Sequence, residues 1–434
     1  MTFFAKRLNI ARMFGGSVLS QGLLSAANLL TGLILVRRVA QAQYGYYVLI
    51  NSAVPLLAML QQAFINPILA SRVTLAPDQE ARDYIGGLLR DQRRVLGVLG
   101  AAGLAVCALA WLTGLLSGQL AVMISFSVLA GIAWLFREFF RMVLASYRRP
   151  YEVLRADLAF VILMVGGVFL STLTFAPATF AALTIAVAAT VGGWVTSRAL
   201  WRRARWNIHG SPGALAHTVR VGAWAASGSV IHWLFSQGYA YVVAGMLDVS
   251  SVAAIAATRL LLSPLGVFSL GIGTMMFSSS SLWLKHHGFQ GLLRRVLLFA
   301  IAMACAAIGY IAFMWVIRDW VFLHIIKKDF ARRDLLLAIW SLIFLSTVIR
   351  DQLIFILIAQ NQFKRLAGLT LCCAVLGLSV SFAAIPHFGA AGGLLGLLAG
   401  EVAHVGGVLL FTLRGGRTPA SHLASSGGDG FTLR

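Results

Sequence analysis

The chain carries little charge for its size. Only 11% of its 434 residues are Asp, Glu, Lys or Arg, whereas 59% are hydrophobic. A soluble protein of ordinary composition has about 25% charged residues, so this composition excludes a soluble globular domain. The apolar runs are long and continuous and do not alternate at every second residue, which indicates membrane-spanning helices and not a membrane β-barrel. We therefore predict an all-α polytopic membrane protein.

Cysteine and the common catalytic motifs are also scarce. The four cysteines lie inside apolar runs and form neither a CxxC pair nor a Cys/His cluster, so no disulfide framework and no zinc site is predicted. The sequence has no P-loop, no HExxH, no GxSxG and no DxD-type acidic pair in a connection. We expect no enzyme, no metal and no cofactor, and an ATP-driven pump would need a motor on another chain.

Acidic residues are few, and the formal net charge is +21. We do not predict nucleic-acid binding, because the basic residues are spread through short connections between apolar spans. With the N-terminus in the cytoplasm, 26 of the 35 Lys and Arg residues fall on the inner side and 7 on the outer side. Loops rich in Lys and Arg stay in the cytoplasm. The pattern predicts a multi-pass membrane protein with both termini in the cytoplasm.

The long apolar runs predict about twelve transmembrane helices. They lie near 13–36, 46–70, 95–116, 120–144, 157–174, 177–199, 220–246, 251–277, 295–317, 334–360, 366–385 and 389–413. The longest predicted connections are 71–94, 200–219 and 318–333, and none has room for a catalytic domain. A weak resemblance between the turn after span one and the turn after span seven suggests a parallel repeat of two six-helix halves, with a site between them.

The predicted organisation has four parts. Residues 1–200 form an N-terminal six-helix lobe, 201–219 a cytoplasmic linker, 220–413 a C-terminal six-helix lobe and 414–434 a disordered cytoplasmic tail rich in Gly and Ser.

One arginine lies deep inside an apolar run. Arg259 stands within 251–277, about 12 Å along the helix from the first residue of that run at ~1.5 Å per residue. A guanidinium at such a depth costs about 2.5–3.5 kcal/mol on insertion scales and marks a functional site by default. Two interpretations are open: the side chain contacts an anion in a central cavity, or it snorkels or pairs with a neighbouring helix.

The other polar residues inside the spans are informative because they are few. Asn28 lies in span one, and Gln61, Gln62 and Asn66 share roughly one face of span two. Each lone amide is otherwise explained as a hydrogen bond between helices, worth about 0.6 kcal/mol.

Charged and titratable groups inside the spans concentrate in the second half of the chain. Arg350 and Asp351 are adjacent, so we expect them to point in different directions on one helix. Glu401 and His404 lie three residues apart on one face of the last span. Together with Glu138 in span four, these carboxylates and the histidine are candidates for coupling to an ion or a proton, whereas ion pairs and hydrogen bonds between helices are the structural alternative.

Several stretches resemble a known family over about residues 1–413. They are a first span rich in small and amide residues (GGSVLSQGLLSAANLLTGLIL), the short turn Tyr44, Gly45, Tyr46, and a last span that follows HFGAAGGLLGLLAGEVAH. This order resembles the polysaccharide-export branch of the MOP superfamily, the Wzx-like flippases of lipid-linked oligosaccharides. MATE drug exporters and lipid II flippases are sister branches, and the lipid II branch usually has two extra helices that are not found here.

The resemblance implies two six-helix lobes around a central, cation-lined cavity that works by alternating access. The implied substrate is an undecaprenyl-pyrophosphate-linked glycan, with membrane lipids, a polysaccharide polymerase and a chain-length regulator as further partners. Arg259 matches the position where the family places a cavity arginine. We expect Arg259 and Arg350 to bind the anionic head group, with Asn28, Gln61, Gln62 and Asn66 as further cavity residues.

Two rival functions remain at this point. A cation-coupled drug exporter of the MATE type favours acidic residues in its cavity, whereas this chain has more basic ones. A multispanning glycosyltransferase or polymerase carries a large outer loop with catalytic residues, and only 318–333 approaches that description.

Overall fold

The computed structural model describes residues 2–75, 78–147, 149–201, 206–207 and 210–415. The first six helices are α1 (Thr2–Arg38), α2 (Gln41–Leu75), α3 (Asp78–Leu112), α4 (Gly118–Ser146), α5 (Pro150–Ser171) and α6 (Pro177–Trp201). The helices that follow are α7 (Ala214–Met246), α8 (Val249–Trp320), α9 (Arg333–Ala359), α10 (Phe363–Phe388) and α11 (Ala390–Gly415), with a π-helical turn, Val321–Ile326, after α8.

Local sequence explains where several helices begin. Pro150 opens α5 and Pro177 opens α6, at a position where the missing proline N–H costs nothing. The Asp248 carboxylate caps α8 by accepting a hydrogen bond from the backbone N–H of Ser251 at 2.6 Å. Helix α8 is interrupted at Gly288, whose φ of 65° lies in the left-handed region that glycine tolerates. Two segments apolar enough to cross a membrane lie along α8 and the turn that follows it: Val249–Phe277, and Ser279–Ile326, which contains Gly288.

Eleven segments within the described residues are long and apolar enough to cross a membrane. Helix α7 is also long, at 33 residues or about 50 Å, but its Gly, Ser, His, Gln and Tyr residues make it less apolar than the others. The predicted all-α, multi-pass membrane protein is confirmed. The helices form two groups of six, α1–α6 and α7–α11 with α8 counted twice.

The two lobes meet along a small set of helices. Within the N-terminal lobe α4 and α5 pack on α6, and α1 packs on α5; within the C-terminal lobe α8 packs on α9 and α10 on α11. Contacts between the lobes are made mainly by α1 and α2 on one side and by α7 and α8 on the other. These four helices border the space between the lobes.

The buried apolar residues show that the two ends of the molecule differ. At the end that holds the α1–α2 turn, one core joins both lobes, with Leu35 and Tyr44 packed in the same cluster as Val252 and Ile326. At the opposite end one core lies around Phe139 in the N-terminal lobe and includes Ala214 at the start of α7, and another lies around Ile356 in the C-terminal lobe. The lobes therefore share one large core at the outer end, whereas at the inner end only the start of α7 packs into the core of the other lobe, where inner and outer follow the predicted topology.

The structure corrects the predicted connections. We expected 71–94 to be a loop, but α2 continues to Leu75 and α3 begins at Asp78, so most of that stretch is helical. The basic residues there reside on helices that project beyond the apolar spans. The connection 318–333 is also largely ordered, because α8 ends at Trp320 and the π-helical turn follows at once. The predicted tail 414–434 lies almost wholly outside the described residues.

Candidate functional site

Arg259 lies within the apolar span Val249–Phe277, on the C-terminal side of the space between the lobes. It is the eleventh residue of α8, about 15 Å from the start of that helix, which is half of a hydrocarbon core of about 30 Å. Its Nη1 lies 3.4 Å from Gln237 Oε1 of α7, and its guanidinium stands 5.3 Å from the centroid of the Trp340 ring. Tyr44 and Tyr239 are close enough to interact with it electrostatically.

Within the described part of the chain, the side chains around Arg259 are uncharged. Among the residues that the structure describes, no carboxylate forms an ion pair with this guanidinium. Its neighbours are aromatic rings, phenol hydroxyls and one amide, which hold the side chain without neutralising it. An arginine in this state presents an unneutralised positive charge at mid-membrane depth, which suits an anionic ligand.

Polar side chains of both lobes also lie at the interface between the lobes, on α1, α2 and α7. Asn51 Nδ2 of α2 donates to Asn28 Oδ1 of α1 at 3.1 Å, and the Ser52 hydroxyl lies 2.9 Å from Tyr241 Oη of α7. Trp233 Nε1 donates to the Ser52 carbonyl at 2.8 Å. Asn28 is exposed in the isolated protein, so its amide is available to the interlobe space.

The three amides predicted to share one face of α2 have different surroundings. They are Gln61, Gln62 and Asn66. The Gln61 amide is buried and donates to the Leu135 carbonyl of α4 at 2.9 Å, whereas Gln62 Nε2 donates to Glu138 Oε1 at 2.9 Å. Asn66 is exposed. The structure thus places two of the three glutamine and asparagine side chains in contacts with α4 within the N-terminal lobe.

The C-terminal lobe contains a buried charge network that joins α8, α9 and α11. Arg350 Nη1 of α9 lies 2.7 and 2.8 Å from the two carboxylate oxygens of Glu401, and its Nη2 donates to Asp351 Oδ1 at 2.8 Å. The Ser269 hydroxyl donates to Asp351 Oδ2 at 2.7 Å. We expected the adjacent residues Arg350 and Asp351 to diverge, and that expectation is wrong because the long guanidinium folds back to its neighbour.

This C-terminal network holds more negative than positive charge. One arginine serves two carboxylates, and the Asp351 side chain keeps 25% of its surface exposed. His404 is buried beside Phe235, at 5.7 Å between ring centroids, and in the part of the chain that the structure describes neither of its ring nitrogens has a hydrogen-bond partner. His232 of α7 lies within electrostatic range of Arg350 and Asp351. The surplus carboxylate and the unpartnered histidine are groups that can take up a proton or a cation.

The N-terminal lobe contains a second buried network, which joins α1, α4 and α5. Asp157 of α5 accepts a hydrogen bond from Arg137 of α4 and one from the Ser20 hydroxyl of α1. Arg141 Nε lies 3.3 Å from Asp157 Oδ2, and Arg141 Nη1 lies 3.3 Å from Glu138 Oε1. Two arginines and two carboxylates make this network neutral.

Arg137 is the most enclosed member of the N-terminal network. Its side chain is 1% exposed and its guanidinium stands 4.0 Å from the centroid of the Phe160 ring. Gly192 and Gly193 of α6 leave room for the arginine, since a Cβ at either position would press against it. From the sequence, Arg137 counts among the basic residues of the cytoplasmic side, near the inner end of span four, and Asp157 is not singled out. The available signal was an aspartate at the start of an apolar span, twenty residues after an arginine at the end of the preceding one.

Close contacts hold the outer ends of the two lobes together. Gly45 at the start of α2 lies against the backbone of Val249 at the start of α8, with no space for a Cβ. Lys328, which follows the π-helical turn, donates to the Val39 carbonyl just after α1. Burial lowers the pKa of this ammonium group, which lies outside the membrane spans. These contacts close the outer end of the interlobe space.

No family model matches the sequence, and no curated protein matches it. Solved structures do share its fold. A multidrug resistance MATE family transporter of the MOP superfamily, in the inward-facing conformation, matches with a TM-score of 0.72 at 17% identity over 91% of this chain and 94% of that one. The lipid II flippase MurJ, in an inward closed conformation, matches with a TM-score of 0.70 at 12% identity over 96% of this chain and 89% of that one.

A third structure with this fold is a MOP superfamily transporter from Pyrococcus furiosus. Its TM-score is 0.64 at 15% identity, over 94% of this chain and 95% of that one, and its binding pocket is described as having reverse polarity that suggests a different function. The chain therefore has the fold of these transporters and this flippase. This agrees with the fold that the resemblance implied.

Proposed function

We propose that the protein is a Wzx-like flippase of the bacterial inner membrane. Its substrate would be an undecaprenyl-pyrophosphate-linked oligosaccharide, carried from the cytoplasmic to the periplasmic leaflet for the assembly of a surface polysaccharide or exopolysaccharide. The observation that carries this proposal is the Arg259 guanidinium, which stands at mid-membrane depth beside the interlobe space without a carboxylate partner among the described residues.

The chemistry of a pyrophosphate suits this position. A diphosphate in a medium of low dielectric constant needs cations, and the planar fork of arginine binds two phosphate oxygens at once. Trp340 and Tyr239 support the guanidinium from the side of the C-terminal lobe. Asn28 and Gln237 offer amide groups to sugar hydroxyls, and Asn66 is a further exposed amide on α2. Gln61 and Gln62 would then support this face through their contacts with α4.

Arg350 differs from Arg259 because two carboxylates already neutralise its charge. Because its guanidinium is already shared by Glu401 and Asp351, it adds positive charge to the region only when one of these carboxylates is protonated or a cation replaces it. We propose that Asp351, Glu401 and His404 form the ion-coupling site, with Glu138 of the N-terminal lobe as a weaker candidate because Arg141 and Gln62 already bind it.

The arrangement of the lobes supports alternating access. With the N-terminus in the cytoplasm, as the basic residues indicate, the shared core and the Gly45 contact close the periplasmic end. At the other end the core around Phe139 takes in only the start of α7 from the second lobe, and the core around Ile356 belongs to the second lobe alone. We propose that the lobes part at this cytoplasmic end, where the substrate would enter. A cavity that binds the substrate from one side and releases it on the other needs such a closed and an open end.

The membrane potential alone supplies a driving force. Moving about two negative charges outward, with the cell interior negative, yields about 4–5 kcal/mol per 100 mV, at 2.3 kcal/mol per charge. Coupling to an ion at the C-terminal network would add to this. A polysaccharide polymerase and a chain-length regulator are the proposed partners downstream.

A MATE-type, cation-coupled multidrug exporter is the alternative function. The surplus carboxylate of the C-terminal network favours it, since acidic groups attract cationic drugs and coupling cations. The uncompensated Arg259 favours the flippase, because a positive charge in the cavity repels such drugs. The reverse polarity described for the pocket of the Pyrococcus furiosus transporter supports the idea that this fold accommodates cavities of opposite charge.

The test replaces Arg259 in cells that depend on the protein. Arg259→Gln should trap complete lipid-linked oligosaccharides on the cytoplasmic leaflet while the protein reaches the membrane at its normal level. Arg198→Gln is the matched control, because Arg198 is an exposed arginine near the end of α6 that stacks on Trp194, and it should support normal transport. Full transport by Arg259→Gln would reject the site, and new sensitivity to cationic drugs with normal oligosaccharides would favour the exporter.

A further inference from the structure

A lateral groove opens on the outside of the N-terminal lobe between α3, α4 and α6. Its volume is about 610 Å³, and its lining includes Arg93, Leu96, Gly97, Ile132, Phe136 and Thr190. None of its lining residues comes from α1, α2, α7 or α8. The groove is therefore separate from the interlobe space that holds Arg259, and it faces the surrounding lipid.

Glycine positions on α3 explain why the groove exists. Toward the outer end, Gly100 packs directly against Ile132 and Gly103 against Val128, so α3 and α4 touch there. Toward the inner end, Gln92 Nε2 reaches the Leu135 carbonyl at 3.4 Å. Between these two contacts Gly97 has open space where its Cβ would be. The two helices thus leave a window about two turns tall, with α6 as its floor.

One cation stands at the inner end of this apolar window. Arg93 is exposed and lies 5.5 Å from the centroid of the Phe136 ring. In the described part of the chain no carboxylate forms an ion pair with it. It precedes Leu112, the last residue of α3, by about 28 Å of helix, which is close to the ~30 Å thickness of the hydrocarbon core. With Leu112 at the outer surface of the hydrocarbon core, this length puts the guanidinium at the level of the inner lipid phosphates.

We propose that this groove is a binding site for one anionic phospholipid. An acyl chain would lie against Leu96, Gly97 and Ile132, and the phosphate would bind the Arg93 guanidinium. The volume lies within the ~300–1,000 Å³ range of ligand pockets, and the lining is apolar except at its inner end. Basic pockets between membrane helices bind anionic head groups, and arginine binds phosphate through paired hydrogen bonds. The proposal is independent of the proposed flippase activity.

The first test removes the charge. Native mass spectrometry of the purified protein would compare phosphatidylglycerol with phosphatidylcholine of the same acyl chains. Arg93→Gln should weaken the binding of one phosphatidylglycerol about fivefold, the equivalent of ~1 kcal/mol per basic residue at the membrane surface. Arg94→Gln is the matched control, because Arg94 is the exposed neighbour of Arg93 but does not line the groove, and it should leave this binding unchanged.

The second test fills the groove without touching its charge. Gly97→Leu should reduce the binding of phosphatidylglycerol by occupying the space of the acyl chain. Gly166→Leu is its control, since Gly166 on α5 also has open space around it and lies outside the groove. Thermal unfolding of all four variants would show that each remains folded.

The binding results for the four variants decide whether the groove is a lipid site. Weaker phosphatidylglycerol binding in both Arg93→Gln and Gly97→Leu, with both controls unchanged, supports the site. Unchanged binding in these two variants overturns it, and so does an equal loss in Arg94→Gln, which would indicate a diffuse basic belt. Preferential binding of undecaprenyl phosphate over phosphatidylglycerol would also overturn the proposal, because the groove would then hold the lipid of the transport substrate.

Discussion

Each lobe buries one network of charged side chains, and the two networks differ in their balance. In the N-terminal lobe Arg137 and Arg141 face Asp157 and Glu138, so positive and negative charges are equal. In the C-terminal lobe Arg350 alone faces Asp351 and Glu401. Burying charge is costly unless it is paired. The neutral network is therefore suited to holding helices together, and the acidic one to changing its charge.

The same difference extends to the neighbouring groups. Asp157 makes contacts with Arg137, Arg141 and Ser20, so its carboxylate has little capacity left. Within the described residues, His404 and Gln352 lie buried in the C-terminal lobe with no hydrogen-bond partner for any side-chain polar atom, whereas in the N-terminal network a single atom, Arg137 Nε, lacks a partner. Buried groups without partners are rare in folded proteins and mark places where a water, an ion or a proton acts. We infer that the network of the N-terminal lobe holds its helices together, and that the network of the C-terminal lobe takes part in transport by binding a proton or a cation.

The largest effect should come from the N-terminal network. Asp157→Asn leaves the enclosed Arg137 without its carboxylate, and breaking such a buried pair costs about 3–5 kcal/mol. We expect a large fall in the thermal unfolding temperature in detergent and a loss of monodisperse protein. Combining Asp157→Asn with Arg137→Met restores neutrality and should recover part of the stability. An unchanged unfolding temperature in the single variant would refute a structural role.

A smaller change in stability, but a larger change in transport, should follow from Glu401→Gln in the C-terminal network. Arg350 keeps Asp351 as its partner, so the loss should stay near the ~1.5–3 kcal/mol of a hydrogen bond to a charged group. Transport in proteoliposomes should lose its dependence on an imposed pH or cation gradient. Asp319→Asn, at an exposed carboxylate on the outer surface, is the control and should retain that dependence. A fall in stability as large as that of Asp157→Asn would remove the contrast between the lobes.

The smallest effect concerns the contact that joins the lobes at the outer end. Lys328→Met removes the hydrogen bond to the Val39 carbonyl, worth about 1 kcal/mol for a partly exposed group, and should raise the outward-open population about fivefold. Spin labels at positions 41 and 323, in a background without the native cysteines, would measure the distance across this end. Lys327→Met is the control, because the neighbouring Lys327 is exposed and makes no described contact with α1. Equal distance distributions in both variants would contradict a closing role.

The sequence predicted the membrane spans well because their signal is local. Hydropathy over about twenty residues is sufficient to find a membrane helix, and it located the eleven segments that are long and apolar enough to cross a membrane among the described residues. The predicted span 220–246 coincides with α7, which is a helix but is not one of these segments. The helical segments that extend beyond the apolar spans were harder to predict from the sequence. Residues 78–94 are polar, and polarity alone does not separate a loop from a helix that projects beyond the bilayer.

The charge networks were only partly predictable from the sequence. Arg350, Asp351, Glu401 and Glu138 were selected because charge inside an apolar run is rare. Arg137 escaped attention because an arginine near the end of a span also fits the cytoplasmic surface. Its pairing with Asp157 depends on how α4 packs against α5 and α6, and no local pattern records that packing.

The low apolarity of α7 has a consequence for how the protein is made. A helix with His232, Gln237 and several glycines partitions poorly into lipid by itself, yet it is the first helix of the second lobe to leave the ribosome. By then the first lobe has been synthesised, and its α3 offers the Asp91 carboxylate to the backbone N–H of Leu215 and the Tyr84 hydroxyl to Thr218. We expect the finished first lobe to act as a template that receives α7 during biogenesis, so that the second lobe expressed alone inserts with α7 left out of the membrane.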